Sequence, residues 1–62
     1  MHLTTKELAA RLRMSAESLA HWRIKGVGPR YIKLGRKILY PLAEVEAFER
    51  GLLRSSTSQN LA

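Results

Sequence analysis

The chain has 62 residues, enough for one small domain whose buried core is marginal. It has no cysteine, which excludes disulfides and thiolate metal sites. Its two histidines are far apart in the sequence and have no further ligands beside them, so no metal or cofactor is expected. Eleven Lys and Arg residues against five Glu give a net charge of +6, which predicts a polyanionic partner.

A first helix is predicted from Thr5 to Arg13. Thr4 and Glu7 have the spacing of a capping box, in which each side chain accepts a hydrogen bond from the backbone N–H of the other residue. The apolar residues that follow lie on one stripe of the helix: Leu8, Ala9 and Leu12.

A second helix is predicted after Ser15, which is a candidate N-cap residue. Glu17 places a negative charge in its first turn, where the helix dipole favours one, and Gly26 is suited to end the helix. The predicted buried stripe consists of Leu19, Trp22 and Ile24. The connection to the first helix is so short that the two helices must cross sharply, as in a helix-turn-helix.

The pattern then changes to β-branched and aromatic runs at 31–34 and 37–40, separated by Gly35 and Arg36. This pattern predicts a β-hairpin, in which Gly35 adopts a positive φ angle. Pro41 closes the second strand and can be the first residue of a third helix, which is predicted to run to Arg50 and to end at Gly51. The fold class is therefore mainly α with a small β-hairpin.

We expect residues 1–51 to form the domain and residues 52–62 to form a disordered or partner-binding tail, because the tail is rich in Ser and Thr. The N-terminal segment lacks the basic and then apolar layout of a signal peptide, and no apolar run is long enough to span a bilayer. The expected location is the cytoplasm, without a membrane partner.

The positive charge is concentrated in one part of the chain. Six cations and no acidic residue lie between positions 23 and 37: Arg23, Lys25, Arg30, Lys33, Arg36 and Lys37. The third helix instead carries Glu44, Glu46 and Glu49. If all six cations contacted phosphates, the log–log dependence of binding on salt would have a slope of about −5.

The second helix is the candidate recognition helix for the major groove of double-stranded DNA. Its candidate contacts are Ser15, Glu17, Ser18, His21, Arg23 and Lys25, and those of the hairpin are Arg30, Lys33, Arg36 and Lys37. Glu17 can accept from a cytosine amino group, whereas Ser18, His21 and Arg23 can donate to bases or phosphates. Alternatives remain open: Ser15 caps the helix with or without DNA, His21 can be a solvated surface residue, and a basic hairpin also protects a sheet edge.

The segment 4–22 resembles the start of a MerR-like winged helix-turn-helix domain. The segment 28–40 resembles the excisionase and AlpA-type branch of that family, and the closing 44–48 is similar to the last helix of that branch. The resemblance covers about residues 3–50. It implies a winged fold with a helix-turn-helix, a two-stranded wing and a third helix. It also implies a DNA-binding protein of a phage or integrative element that acts as a recombination directionality factor, or alternatively as a small transcriptional regulator.

Two features depart from this family. Its turn usually has glycine where this chain has Arg13, which would cost about 1 kcal/mol in a left-handed conformation. MerR regulators also continue into a long dimerising helix and an effector domain, whereas this sequence ends at Ala62, so no small-molecule effector is expected.

Other functional classes fit the residues less well. The chain contains no Asp, no Cys and no phosphate-binding glycine loop, so no enzyme is expected. A protein-interaction module that docks Leu52 and Leu53 on an integrase or polymerase is the alternative from another class, although it does not explain the six clustered cations. The expected partners beyond DNA are an integrase or recombinase, or further copies of the chain along DNA.

Overall fold

The computed structural model describes residues 1–53; residues 54–62, most of the predicted tail, lie outside the described part. The order of elements is β1 (His2–Thr4), α1 (Thr5–Leu12), α2 (Ala16–Lys25), β2 (Ile32–Leu34), β3 (Lys37–Pro41) and α3 (Leu42–Leu52). Three helices and a β-hairpin confirm the predicted fold class. Within residues 1–53, no helix is long and apolar enough to cross a membrane.

The first helix begins at the predicted capping box. The Glu7 N–H donates to Thr4 Oγ1 at 3.1 Å, and the Thr4 N–H donates to Glu7 Oε1 at 2.8 Å. The helix ends at Leu12, one residue earlier than predicted, because Arg13 adopts the left-handed conformation with φ 57° and ψ 45°. The Arg13 and Met14 N–H groups then donate to the carbonyls of the last helical turn.

Replacing Arg13 by glycine is expected to stabilise the protein. A side chain in the left-handed region costs about 1 kcal/mol, and glycine avoids that cost, so the free energy of unfolding should rise by up to about that amount. Urea denaturation measures the change. Ala10→Gly, at an exposed position inside α1, is the matched control and should destabilise by about 1 kcal/mol. Loss of stability in Arg13→Gly would contradict this interpretation of the turn.

The second helix begins and ends as predicted. The Ser15 side chain accepts from the Ser18 N–H at 3.1 Å, and Gly26 ends the helix with a φ of 76°. Residues 13–15 are all that separates α1 from α2, and Met14 within this turn packs against the core. The two helices therefore have the connection expected of a helix-turn-helix.

The three strands form one antiparallel sheet with β3 in the centre and β1 and β2 at its edges. The hairpin of β2 and β3 is the predicted two-stranded wing, although it begins at Ile32 instead of Tyr31. Gly35 has a φ of 61° in its two-residue turn, which fits a type II′ turn. Strand β1 was not predicted. It pairs Leu3 with Tyr40, so the N-terminus extends the sheet beside the first helix.

The third helix begins at Leu42, after Pro41 at the end of β3. The prediction that Gly51 ends it is wrong, because the helix continues to Leu52. Gly51 does not have a positive φ angle, and the helix ends instead where Leu53 becomes extended, with a φ of −64° and a ψ of 132°. A glycine within a helix costs roughly 0.5–1 kcal/mol relative to alanine, which does not by itself force the helix to end.

The core lies between the helices and one face of the sheet. Its fully buried side chains come from four elements: Leu8, Leu19, Tyr40 and Val45. At one side, Trp22 of α2 packs against Phe48 of α3 with ring centroids 5.6 Å apart. This packing holds the core-facing side of α2 against α3 and leaves the opposite side of α2 exposed.

Candidate nucleic-acid interface

The exposed face of α2 is defined by Glu17, His21 and Ile24, which follow each other at helical spacing. Lys25 is also exposed and lies beside this stripe. The prediction that Ile24 is buried is wrong, because 83% of it is accessible to solvent. Ile24 is five residues from the buried Leu19, and this spacing rotates it about 140° away around the helix.

The two serines at the start of α2 form one hydrogen-bonded unit. Ser15 accepts from the backbone of Ser18, and the two hydroxyl oxygens lie 3.0 Å apart. Ser15 therefore caps α2 in the absence of DNA, which is one of the alternatives left open by the sequence. Ser18 is half-buried and lies at the edge of the exposed stripe.

Arg23 connects the second helix to three other parts of the fold. Its Nη1 donates to the Tyr40 hydroxyl at 2.9 Å and to Thr5 Oγ1 at 3.5 Å. Its guanidinium carbon lies 5.8 Å from the centre of the Tyr31 ring, within the range of a cation–π interaction. The half-buried Arg23 side chain thus holds α2 against the sheet. Only one of its nitrogens makes these hydrogen bonds, although a guanidinium carries five N–H donors.

The wing carries its cations on both faces and at its tip. Directly opposed residues of an antiparallel pair share a face, so Lys33 lies on the face of Ile38, which is also the core face, whereas Lys37 lies on the opposite face with Leu34. Arg36 is in the turn between the strands. All three cations are exposed. The hairpin therefore presents positive charge in several directions from its outer end.

The segment between α2 and the wing forms a shallow pocket. Arg23 and Arg30 both line it, together with Tyr31 and the backbone of Gly28. Arg30 is exposed, so this part of the surface joins the basic end of α2 to the basic wing. Gly28 in this segment has a φ of 93°, and it lies so close to the Trp22 ring that a Cβ atom there would be 2.6 Å from Cε3 of Trp22.

Three of the five glutamates lie on α3: Glu44, Glu46 and Glu49. Glu49 of α3 receives two hydrogen bonds of 2.8 Å from the Arg11 guanidinium. These bonds hold the pKa of the Glu49 carboxyl below its usual value and raise the pKa of Arg11. This ion pair connects α1 to α3. Because both side chains are partly exposed to solvent, it contributes no more to the stability of the fold than an ordinary surface ion pair does. The cation that pairs with Glu49 is thus on α1, not on α2 or the wing.

A comparison with protein families matches residues 3–52 to a model described as a helix-turn-helix domain. The chain belongs to this helix-turn-helix domain family. The family supports binding of double-stranded DNA. Comparisons with curated proteins and with solved structures give no match.

In this helix-turn-helix domain, the predicted site residues of α2 and its cap fall into three groups. Glu17, His21 and Lys25 are exposed on α2, whereas Ser15 and Ser18 are joined at its start. Arg23 is engaged within the fold. Sequence reasoning missed Ile24 as a member of the exposed stripe, although its spacing from Glu17 and His21 contained the signal. The MerR-like branch and the individual DNA contacts remain predictions.

Proposed function

We propose that this helix-turn-helix domain binds DNA in a sequence-specific manner, with α2 in the major groove and the wing on the adjoining backbone or minor groove. The observation that carries the proposal is the exposed stripe of α2, which continues into a basic surface at the wing, while three of the five glutamates lie on α3. An α-helix fits the major groove, and cations beside it neutralise the phosphates.

Each group of residues has its own task in this arrangement. Glu17 accepts from a cytosine amino group, and His21 and Ser18 donate to base edges or phosphates. Ser15 orients the start of the helix through its cap. Phosphate contacts come from the remaining cations: Arg23, Lys25, Arg30, Lys33, Arg36 and Lys37. Arg23 contributes in addition by holding the helix in place through Tyr40.

The biological role that we propose is that of an excisionase-like architectural factor, which bends DNA beside a recombination site. The proposal rests on the resemblance of the segment 28–40 to that branch and on the two separate basic elements, α2 and the wing. Contacts from two separate elements favour a bent duplex, since bending brings more phosphate within reach of the protein.

A pull-down of sheared genomic DNA with the full chain, followed by sequencing of the bound fragments, tests this role. Enrichment beside an integrase gene at the boundary of a mobile element is the expected result. Enrichment at promoters alone would contradict the excisionase role and support a transcriptional regulator. Absence of enrichment over the input DNA would contradict sequence-specific binding and favour a protein-interaction module.

A further inference from the structure

The side chain at the C-terminal end of the exposed stripe of α2 is apolar. Ile24 is 83% exposed and makes no contribution to the core cluster, so its presence there has no packing explanation. Its β-branched side chain also gives it a lower helix propensity than most alternatives. Neither the stability of the core nor that of α2 accounts for an isoleucine at this position.

The neighbours of Ile24 on the helix are polar residues suited to base edges. Glu17 and His21 lie on the same stripe, seven and three residues before it. Seven residues of helix span about 10 Å, which corresponds to about three base pairs of a duplex. The stripe therefore presents a carboxylate (Glu17), an imidazole (His21) and an apolar side chain (Ile24) to successive positions along one groove.

We propose that Ile24 is a specificity-determining residue that contacts the C5-methyl group of thymine. The methyl group of thymine is the apolar feature that bases present in the major groove, and apolar side chains recognise it by contact. This inference rests on the proposed function, because it requires α2 to lie in that groove. It adds selectivity for thymine at one end of the recognition stripe, whereas Glu17 favours cytosine at the other end.

Replacement of thymine by deoxyuridine tests the contact, since it removes the methyl group and leaves the hydrogen-bonding groups of the base unchanged. The probe is a duplex selected from a random-sequence library by the full chain, prepared once with thymine and once with deoxyuridine. Burying one methyl group corresponds to about fourfold in affinity. The parent should therefore bind the thymine duplex about fourfold more tightly, and Ile24→Ala should bind both duplexes alike.

The matched control is Leu52→Ala, which removes another exposed apolar side chain, at the end of α3. It should keep the fourfold preference of the parent. For each variant, the affinity for the thymine duplex is divided by its affinity for the deoxyuridine duplex. A change in the stability of the variant affects both affinities equally and leaves this ratio unchanged. The inference is overturned if the parent shows no preference for thymine, or if Ile24→Ala retains it. Failure to select any duplex would instead contradict the proposed function itself.

Discussion

Replacement of Arg36 and Lys37 together by alanine is expected to weaken binding to every DNA duplex alike, by roughly 30-fold at moderate salt. Two charge-assisted contacts of roughly 1 kcal/mol each account for this factor. Both residues are exposed at the outer end of the wing, where Gly35 makes the tight turn. Because phosphate contacts carry no sequence information, the order of preference among duplexes should not change.

The salt dependence of the same variant identifies the kind of contact that was lost. Each phosphate contact adds about 0.9 to the slope of log affinity against log salt, so the slope should become shallower by about 1.8. Lys6→Ala combined with Arg50→Ala is the matched control, since it removes the same charge from α1 and α3. The control should bind nearly as the parent does. A wing variant with the affinity and slope of the parent would show that the wing does not contact DNA.

Gly28→Ala is expected to destabilise the fold by about 2–5 kcal/mol. A Cβ atom at this position would lie 2.6 Å from Cε3 of Trp22, and the φ of 93° is unfavourable for any side chain. Overpacking costs about 1–3 kcal/mol, and a left-handed backbone costs about 1–2 kcal/mol. A domain of this size has a total stability of about 3–9 kcal/mol, so the loss is a large part of it.

Urea denaturation followed by tryptophan fluorescence measures the change in the free energy of unfolding. The signal comes from the residue that the new Cβ would contact, since Trp22 is the single tryptophan of the chain. Gly51→Ala is the matched control. Gly51 lies within α3 with no atom close to the site of a Cβ, so alanine should stabilise the helix by about 0.5–1 kcal/mol. Equal stability of Gly28→Ala and the parent would contradict the packing of Trp22 on this loop.

Local signals in the sequence were sufficient for most helix ends. The capping box of Thr4 and Glu7, the cap at Ser15 and the glycine at position 26 all act within a few residues, and each is confirmed. The same holds for the hairpin, whose turn requires a glycine with positive φ at position 35. Gly51 shows the limit of such signals, since a glycine permits a helix end without causing one.

Contacts between distant residues could not be predicted in the same way. Strand β1 has three residues, too few for a periodic pattern, and it forms by pairing with β3 about forty residues away. The hydrogen bond from Arg23 to Tyr40 and the ion pair of Arg11 with Glu49 likewise depend on the packed fold. The exposure of Ile24 is different, because helical geometry alone separates it from Leu19. The structure thus adds Ile24 to the exposed stripe and gives Arg23 contacts within the fold, whereas the DNA contacts of the site residues stay predictions.

The most direct test of DNA binding is a titration of a short random-sequence duplex with the full chain at several salt concentrations. Since six cations lie on α2, the wing and the segment between them, the affinity should fall steeply with salt, with a log–log slope of about −5 if all six contact phosphates. Lack of binding at low salt, or an affinity that does not change with salt, would contradict DNA binding by this surface.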